Sequence, residues 1–225
     1  MCGRYSQSQS AEIIAQAFQV DNVPPLKPRY NIAPTQSVPT VLQTSASTDR
    51  QFKMLHWGLI PSWAKDAKMG ARLINARAET VAEKPAFRSA FRQRRCLVLA
   101  DGFYEWQQQE EKKQKQPFYF HLREKQPFAF AGLWEHWQDD AAGEEIESCT
   151  LLTTEANELM EPIHNRMPVI LEPKDYDLWL DPKVKNSELL QPLLRPYATE
   201  EMAAYRVSTT VNKPIHDSAE CIESI

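Results

Sequence analysis

Short apolar segments separated by polar turns constrain the fold of this chain more than any other feature. Segments of this length with apolar or alternating character, bounded by turn residues, are typical of β-strands. Such segments are VPTVLQ (38–43), FKMLHW (52–57), RCLVLA (95–100), PFYFHLR (117–123), PFAFAGL (127–133), SCTLLTT (148–154) and MPVIL (167–171). Since no strand–helix–strand unit repeats along the chain, we expect mostly antiparallel sheet.

Helical patterns are fewer and shorter. Residues 10–19 predict a helix capped by Ser10, and residues 79–91 favour a second one. Residues 173–180 and 187–194 predict short surface helices, 107–116 and 138–147 polar turns, and 207–217 an extended tail. We therefore expect one α+β domain over residues 1–225, with mostly antiparallel sheets forming a barrel-like core and short flanking helices.

Charge is distributed unevenly along the chain, whose net charge is −4. The first 100 residues carry 14 Lys and Arg against 6 Asp and Glu, whereas the remainder carries 12 against 24. The asymmetry predicts a basic face suited to phosphates, although chance surface composition is the alternative interpretation. The overall acidity favours a local groove over general coating of duplex DNA.

Several classes of protein do not fit the sequence. No run of about 18 apolar residues predicts a membrane span, and the first residues, MCGRYSQSQS, have no apolar signal core, so we expect a cytoplasmic protein. The four cysteines lack the spacing of a zinc site, and we expect neither a metal nor a cofactor. Cys96 and Cys149 are predicted to be buried strand residues and Cys221 a structural one.

Cys2 has a chemistry that the other cysteines lack. Removal of the initiator Met would leave a thiol beside a free α-amine, with ordinary pKa values of about 8.5 and about 8. A 1,2-aminothiol traps aldehydes, because the amine forms a Schiff base and the thiol then closes a five-membered thiazolidine ring. The alternative is that Cys2 is an ordinary residue near a chain end.

Further candidate residues lie in three later segments. LINARAET (73–80) places Asn75, Arg77 and Glu79 at alternate positions, on one face if the segment is extended. Arg77 suits a bidentate phosphate contact, and the amide of Asn75 could orient an aldehyde oxygen or an amine.

The other two segments supply acid–base groups. Glu105 follows the apolar strand 95–100 in ADGFYEW and suits proton transfer, with a solvated turn carboxylate as the alternative. His164 precedes a strand in EPIHNRMPVIL, where a histidine can act as acid or base near pH 7 and Arg166 can hold a phosphate. A purely structural role is the alternative for His164, and we expect it for the other histidines.

Several blocks in one order make the sequence resemble the SRAP family, the SOS-response-associated peptidases or abasic-site processing proteins. The resemblance covers nearly the whole chain and rests on MCGRY, RYNIAPTQ, WGLIPSWAKD, LINARAET, CLVLADGFYEW, AGLWE, IHNRMPVIL and VNKP. It implies an enzyme whose Cys2, after loss of Met1, forms a thiazolidine cross-link with the ring-opened abasic sugar. Asn75 would position the aldehyde, Glu105 would transfer protons and assist Met1 removal, and His164 would assist ring opening or cross-link reversal.

The resemblance also implies a partner, single-stranded DNA with abasic sites, including single-strand/double-strand junctions, bound by a monomer. Arg77 and Arg166 would bind phosphates. Arg4, Asn31 and Trp63 would line the groove, with Trp63 stacking on a base or wedging against a junction. The chain has a single Trp in PSWAKD, where some members have paired aromatics, which puts the stacking contribution in doubt.

Two other functions are compatible with parts of the sequence. Amidotransferases and N-terminal-nucleophile hydrolases also begin with Met-Cys-Gly, and their thiol attacks an amide. A non-catalytic module that binds single strands would need only the basic first half and two exposed aromatics, Trp57 and Trp63.

Overall fold

The computed structural model of the protein describes residues 2–109, 114–139 and 143–225. These residues form thirteen strands and four short α-helices. The strands are β1 (Tyr5–Gln7), β2 (Arg29–Ile32), β3 (Ser37–Thr44), β4 (Ser47–Trp57), β5 (Asn75–Arg77), β6 (Arg95–Ala100), β7 (Gly102–Gln107), β8 (Gln116–Leu122), β9 (Phe128–Asp139), β10 (Glu144–Glu155), β11 (Arg166–Pro168), β12 (Ile170–Leu171) and β13 (Met202–Arg206). The helices are α1 (Ala11–Phe18), α2 (Arg88–Gln93), α3 (Tyr176–Leu180) and α4 (Ser187–Leu190).

Five strands close into a barrel, which confirms the predicted barrel-like core. The ring runs β9–β10–β4–β3–β6 and returns to β9, because β9 pairs with both β10 and β6. Four of these pairings are antiparallel, and the fifth, between β10 and β4, is parallel. β10 pairs in parallel first with the end of β4 and then, a few residues further along, with β5.

Alternate residues of the barrel strands fill its interior, as the period of a strand requires. Val98, Phe130 and Leu151 belong to one buried cluster inside the barrel. Cys96 and Cys149 belong to the same cluster with no exposed surface, which confirms them as buried strand residues. Gly132 is needed there, because a Cβ atom would lie 2.8 Å from Val98 and 2.9 Å from the Cys96 sulfur.

A second sheet covers one end of the barrel. Its strand order is β13–β8–β7–β1–β2, and β6 of the barrel continues into β7 of this sheet through Asp101. The buried Asp101 carboxylate accepts hydrogen bonds from the hydroxyl of Ser6 at 2.5 Å and from the backbone and hydroxyl of Ser8 at 2.6 Å. The centroid of the Tyr5 ring lies 5.3 Å from that of the Trp57 ring of the barrel, in an edge-to-face contact, so β1 is fixed against the barrel end.

The helices pack outside the barrel on a second apolar cluster, to which Ile14, Phe18, Phe91 and Trp179 belong. α1 confirms the helix predicted at residues 10–19, with Ser10 accepting from the backbone of Ile13. The short helices predicted at 173–180 and 187–194 are also confirmed. No helix among the described residues is long and apolar enough to cross a membrane.

Two secondary-structure predictions fail. Residues 79–87 form successive turns, and a helix is present only from Arg88, because Pro85 lacks a backbone donor and disfavours a helical residue before it. The predicted extended tail contains a 3-10 turn at Thr209–Asn212. The predicted polar turns at 107–116 and 138–147 include residues 110–113 and 140–142, which lie outside the described residues.

Candidate functional site

Cys2 lies directly before β1, buried at the end of the barrel that the second sheet covers. Its side chain has no exposed surface and packs in the interior cluster with Trp57, Leu151 and Met160. The backbone N–H of Tyr104 donates to the Arg4 carbonyl at 3.0 Å, which carries the β1–β7 pairing on toward the N-terminus. Cys2 is thereby brought within electrostatic reach of the next residue of β7, Glu105.

The environment of Cys2 keeps its thiol neutral. Burial raises the pKa of the thiol well above its ordinary value, and the negative charge of Glu105 raises it further. A reaction at this sulfur therefore needs a base nearby. Glu105 is itself only 4 % exposed, so little water screens the electrostatic interaction between its carboxylate and Cys2.

Asn75 reaches Cys2 from the other side. β5 places Asn75 beside Leu151 of β10, and the Asn75 side-chain amide donates to the Cys2 carbonyl at 2.8 Å. Its Oδ1 atom is buried and accepts no hydrogen bond from the described residues. The side chain thus fixes the Cys2 backbone and presents an acceptor at the site.

His164 lies at the start of the segment leading into β11. Its backbone N–H donates to the carbonyl of Met160, which packs in the same cluster as Cys2. Its Nδ1 atom lies 3.0 Å from the backbone N–H of Arg166 and 3.2 Å from the Arg166 carbonyl, so the backbone of Arg166 holds the ring in place. The residue is partly buried.

Arg77 and Arg166 lie along the two edges of the end of β10. Arg77 pairs with Thr153 across the β5–β10 ladder, and Arg166 pairs with Glu155 across β10–β11. Arg77 is exposed. Arg166 donates to both carboxylate oxygens of Glu79, at 2.6 and 3.0 Å, an ion pair that the sequence analysis did not assign.

Asn31 does not line an open groove, contrary to the sequence-based expectation. Its side chain is fully buried and donates to the carbonyls of Val211, Lys213 and His216. Its side-chain oxygen accepts from Arg4 at 2.7 Å. The pairing holds the C-terminal segment against β2, and the sequence could not show it because the partners are about 180 residues apart.

Arg4 is held by the same network. Its guanidinium also donates to the Val211 carbonyl at 2.6 Å and lies over the Trp106 ring, 5.8 Å from the centroid. Arg4 is only partly exposed, so contact with DNA stays a prediction for it.

The two tryptophans predicted to be exposed differ. Trp57 is fully buried in the barrel, where its ring nitrogen donates to the Ile74 carbonyl at 2.9 Å, so that prediction is wrong. Trp63 is 57 % exposed, in a loop that also carries exposed Lys65 and Lys68. Gly58 shapes this loop with a φ of +141°, and a Cβ atom there would lie 2.7 Å from a backbone oxygen.

The basic surplus of the first half is partly neutralised by the acidic second half. Ion pairs join basic residues before residue 100 to acidic ones after it: Arg29–Asp217, Arg50–Asp177, Lys53–Glu147 and Arg94–Glu135. The charge asymmetry of the sequence therefore overstates the positive character of the surface. Among the described residues, no group of three His, Cys, Asp or Glu side chains is placed to hold a metal ion.

Known proteins match this chain over most of its length. The model of the SOS response associated peptidase (SRAP) family matches residues 1–214. The chain belongs to the SRAP family. It is 45 % identical over the whole of both chains to the Bacillus subtilis protein named "Abasic site processing protein YoqW". It is 34 % identical to "Abasic site processing protein HMCES" of Gallus gallus, over 88 % of this chain and 67 % of that one.

The fold is also that of solved proteins. A crystal structure of a protein from Bacteroides thetaiotaomicron superposes with a TM-score of 0.86 at 28 % identity, covering all of both chains. In this SRAP chain Asn75 and Glu105 come close to Cys2, and the backbone of His164 is hydrogen-bonded to Met160 of the cluster that contains Cys2. The sequence predicted no role for Glu79, which pairs with Arg166. Its position two residues after Arg77, on the same face of an extended segment, was the signal that placed it near the arginines.

Proposed function

We propose that this protein captures abasic sites in single-stranded DNA by a covalent bond to Cys2. The observation that carries the proposal is the convergence of Asn75 and Glu105, from two different strands, on the one residue that can become an N-terminal aminothiol. The names of the relatives in Bacillus subtilis and Gallus gallus support abasic DNA as the substrate.

The first chemical step is Schiff-base formation. Removal of Met1, which the Glu105 carboxylate assists, frees the α-amine of Cys2. The amine adds to C1′ of the ring-opened sugar, where the aldehyde is exposed. Loss of water from this adduct gives the imine, with Glu105 and His164 transferring the protons. Asn75 holds the Cys2 carbonyl so that the amine stays in line with the aldehyde.

The second step is ring closure by the thiol. The sulfur adds to the imine carbon, and the thiol proton passes through Glu105 to the imine nitrogen, which becomes a secondary amine. Because the thiol is neutral in its buried position, proton removal and carbon–sulfur bond formation are coupled at this base. The resulting thiazolidine is durable, whereas an imine alone promotes β-elimination and strand cleavage.

The DNA strand lies along the exposed edge of the site. Arg77 and Arg166 bind phosphates beside the lesion, and Trp63 stacks on a base or against the end of a duplex at a junction. Amine, thiol and aldehyde provide every bond of the reaction, which therefore requires neither a metal nor a cofactor, and one copy of the chain suffices.

A denaturing gel tests the proposal. Purified protein is mixed with single-stranded DNA that carries one abasic site, and wild type is compared with Cys2→Ala and, as a matched control, Cys221→Ala. We expect a heat-stable shifted band in wild type and in Cys221→Ala, and none in Cys2→Ala.

Two results would contradict the proposal. An undiminished band in Cys2→Ala would place the bond elsewhere. No band in wild type whose intact mass confirms loss of Met1 would leave glutamine or peptide hydrolysis, or non-covalent strand binding, as the functions to test.

A further inference from the structure

The Arg166 guanidinium already binds a carboxylate of the same chain. Its two terminal nitrogens donate to the two oxygens of the Glu79 carboxylate at 2.6 and 3.0 Å, a bidentate pair of the kind that an arginine also forms with a phosphate. One of these nitrogens also donates to the Thr153 carbonyl at 2.7 Å, which fixes the guanidinium against β10.

Glu79 is the outer member of this pair. Its side chain is 51 % exposed, against 16 % for Arg166, so the carboxylate covers the guanidinium on the solvent side. The hydrogen bonds from Arg166 lower the pKa of the Glu79 carboxyl, and the charge of Arg77 contributes in the same direction. The carboxylate is therefore ionised at neutral pH and lies near both arginines.

We propose that Glu79 is a built-in competitor that occupies the place of a DNA phosphate at Arg166. The DNA strand as ligand rests on the proposed function, while the occupied arginine does not. The two N–H groups that hold the carboxylate are the ones turned toward solvent, so a phosphate that binds Arg166 through them must displace Glu79. Every strand meets this cost, with or without a lesion.

The competition weakens reversible binding without touching the chemistry at Cys2. Intact single strands then dissociate readily, and the covalent bond decides which strands stay. Glu79 thus favours retention of damaged DNA over intact DNA, although it contacts no base.

Affinity for an intact single strand, measured by fluorescence anisotropy over a range of salt concentrations, tests the proposal. Glu79→Gln keeps the shape of the side chain and removes its charge, whereas Glu83→Gln removes a similar charge from an exposed carboxylate of the same segment. We expect Glu79→Gln to bind about fivefold more tightly at about 0.1 M salt, because no carboxylate has to be displaced, and the gain should shrink as salt rises. Glu83→Gln should bind within about twofold of wild type.

A second background shows whether Arg166 carries the effect. In Arg166→Gln protein the gain from Glu79→Gln should vanish. Weaker or unchanged binding by Glu79→Gln, an equal gain in Glu83→Gln, or a gain that persists without Arg166 would each overturn the proposal.

Failure here is distinguishable from failure of the proposed function. The affinity is measured on intact DNA, which contains no aldehyde. Cross-linking of abasic DNA by wild type is scored separately, so either result can fail while the other stands.

Discussion

The buried surroundings of Cys2 and the end of β10, where Arg77 and Arg166 lie on the two flanking strands, are neighbouring regions with opposite physical character. Cys2 has no exposed surface, is surrounded by apolar side chains and has a thiol pKa raised by burial. Arg77 is exposed, and Arg166 takes part in an ion pair whose carboxylate is half in solvent. The proposed reacting thiol is therefore buried and neutral, whereas the groups proposed to hold the strand are charged and screened by salt.

Both regions are built on the same two short stretches of strand. Asn75 and Arg77 are two residues apart on β5, and they pair with Leu151 and Thr153 of β10. The first side chain reaches the buried Cys2 carbonyl and the second is exposed. A displacement of about 7 Å along one strand thus separates the proposed chemistry from the proposed binding.

The largest expected difference between the regions is in stability. Trp57→Ala should lower the free energy of unfolding by about 3–5 kcal/mol, because it empties the barrel beside Tyr5. Trp63→Ala should change it by less than about 0.5 kcal/mol and should weaken single-strand binding by about 1–3 kcal/mol. Urea unfolding measures the stability and anisotropy measures the binding. Similar losses of stability in both variants would contradict the difference in burial between Trp57 and Trp63.

Glu105→Gln tests whether the buried region carries the chemistry. Loss of a positioned acid–base group should slow cross-link formation by about 10²-fold, while affinity for intact DNA stays near that of wild type. Single-turnover gels give the rate, with Glu83→Gln as the control. A rate within about twofold of wild type would remove Glu105 from the mechanism.

The two regions should respond to pH in opposite directions. Burial raises the pKa of the Cys149 thiol, so its contribution to stability is complete below the unfolded thiol pKa of about 8.5 and decreases as pH rises above it. Glu79 has a lowered pKa, so its contribution is complete above the unfolded carboxyl pKa of about 4.3 and is lost as pH falls.

Urea midpoints measured across pH check both signs. By pH 10 wild type should lose about 1–2 kcal/mol more stability than Cys149→Ala. Equal losses in the two proteins would show that the buried thiol does not titrate as its environment implies.

Asn75→Ala should have the smallest effect. The variant loses one hydrogen bond to the Cys2 carbonyl, which amounts to about 1 kcal/mol. Cross-linking should slow by about fivefold, with unchanged affinity for intact strands. A loss of affinity in place of rate would assign Asn75 to strand binding and blur the boundary between the two regions.

The barrel was predictable because its signals are local. Runs such as those at residues 95–100 and 148–154 show strand period and apolar character within a few residues, and they became β6 and β10. Cys2 could be singled out as the proposed reactive residue from its chemistry alone. Asn75, Glu105 and His164 were candidates from their residue types, and the resemblance between whole blocks of sequence gave each its proposed role at Cys2.

Features that depend on distant partners were not predictable. Asn31 lies in a polar segment, yet its side chain is buried and donates to three backbone carbonyls of the C-terminal segment. Trp57 ends a predicted strand just before a loop, which made it look exposed, yet pairing with the distant strand β10 leaves it fully buried. The Glu79–Arg166 pair joins residues 87 apart, and only the fold shows that the phosphate-binding candidate already has a carboxylate bound.

The most direct test of covalent capture through Cys2 is mass spectrometry of the peptide linked to abasic DNA, with and without borohydride. A thiazolidine has the same mass as the Schiff base that precedes it, but only the Schiff base gains two hydrogen atoms on reduction. We expect a peptide that begins at Cys2, carries the sugar remnant and is unchanged by borohydride. A remnant on a lysine, or a Cys2 adduct that takes up hydrogen, would contradict it.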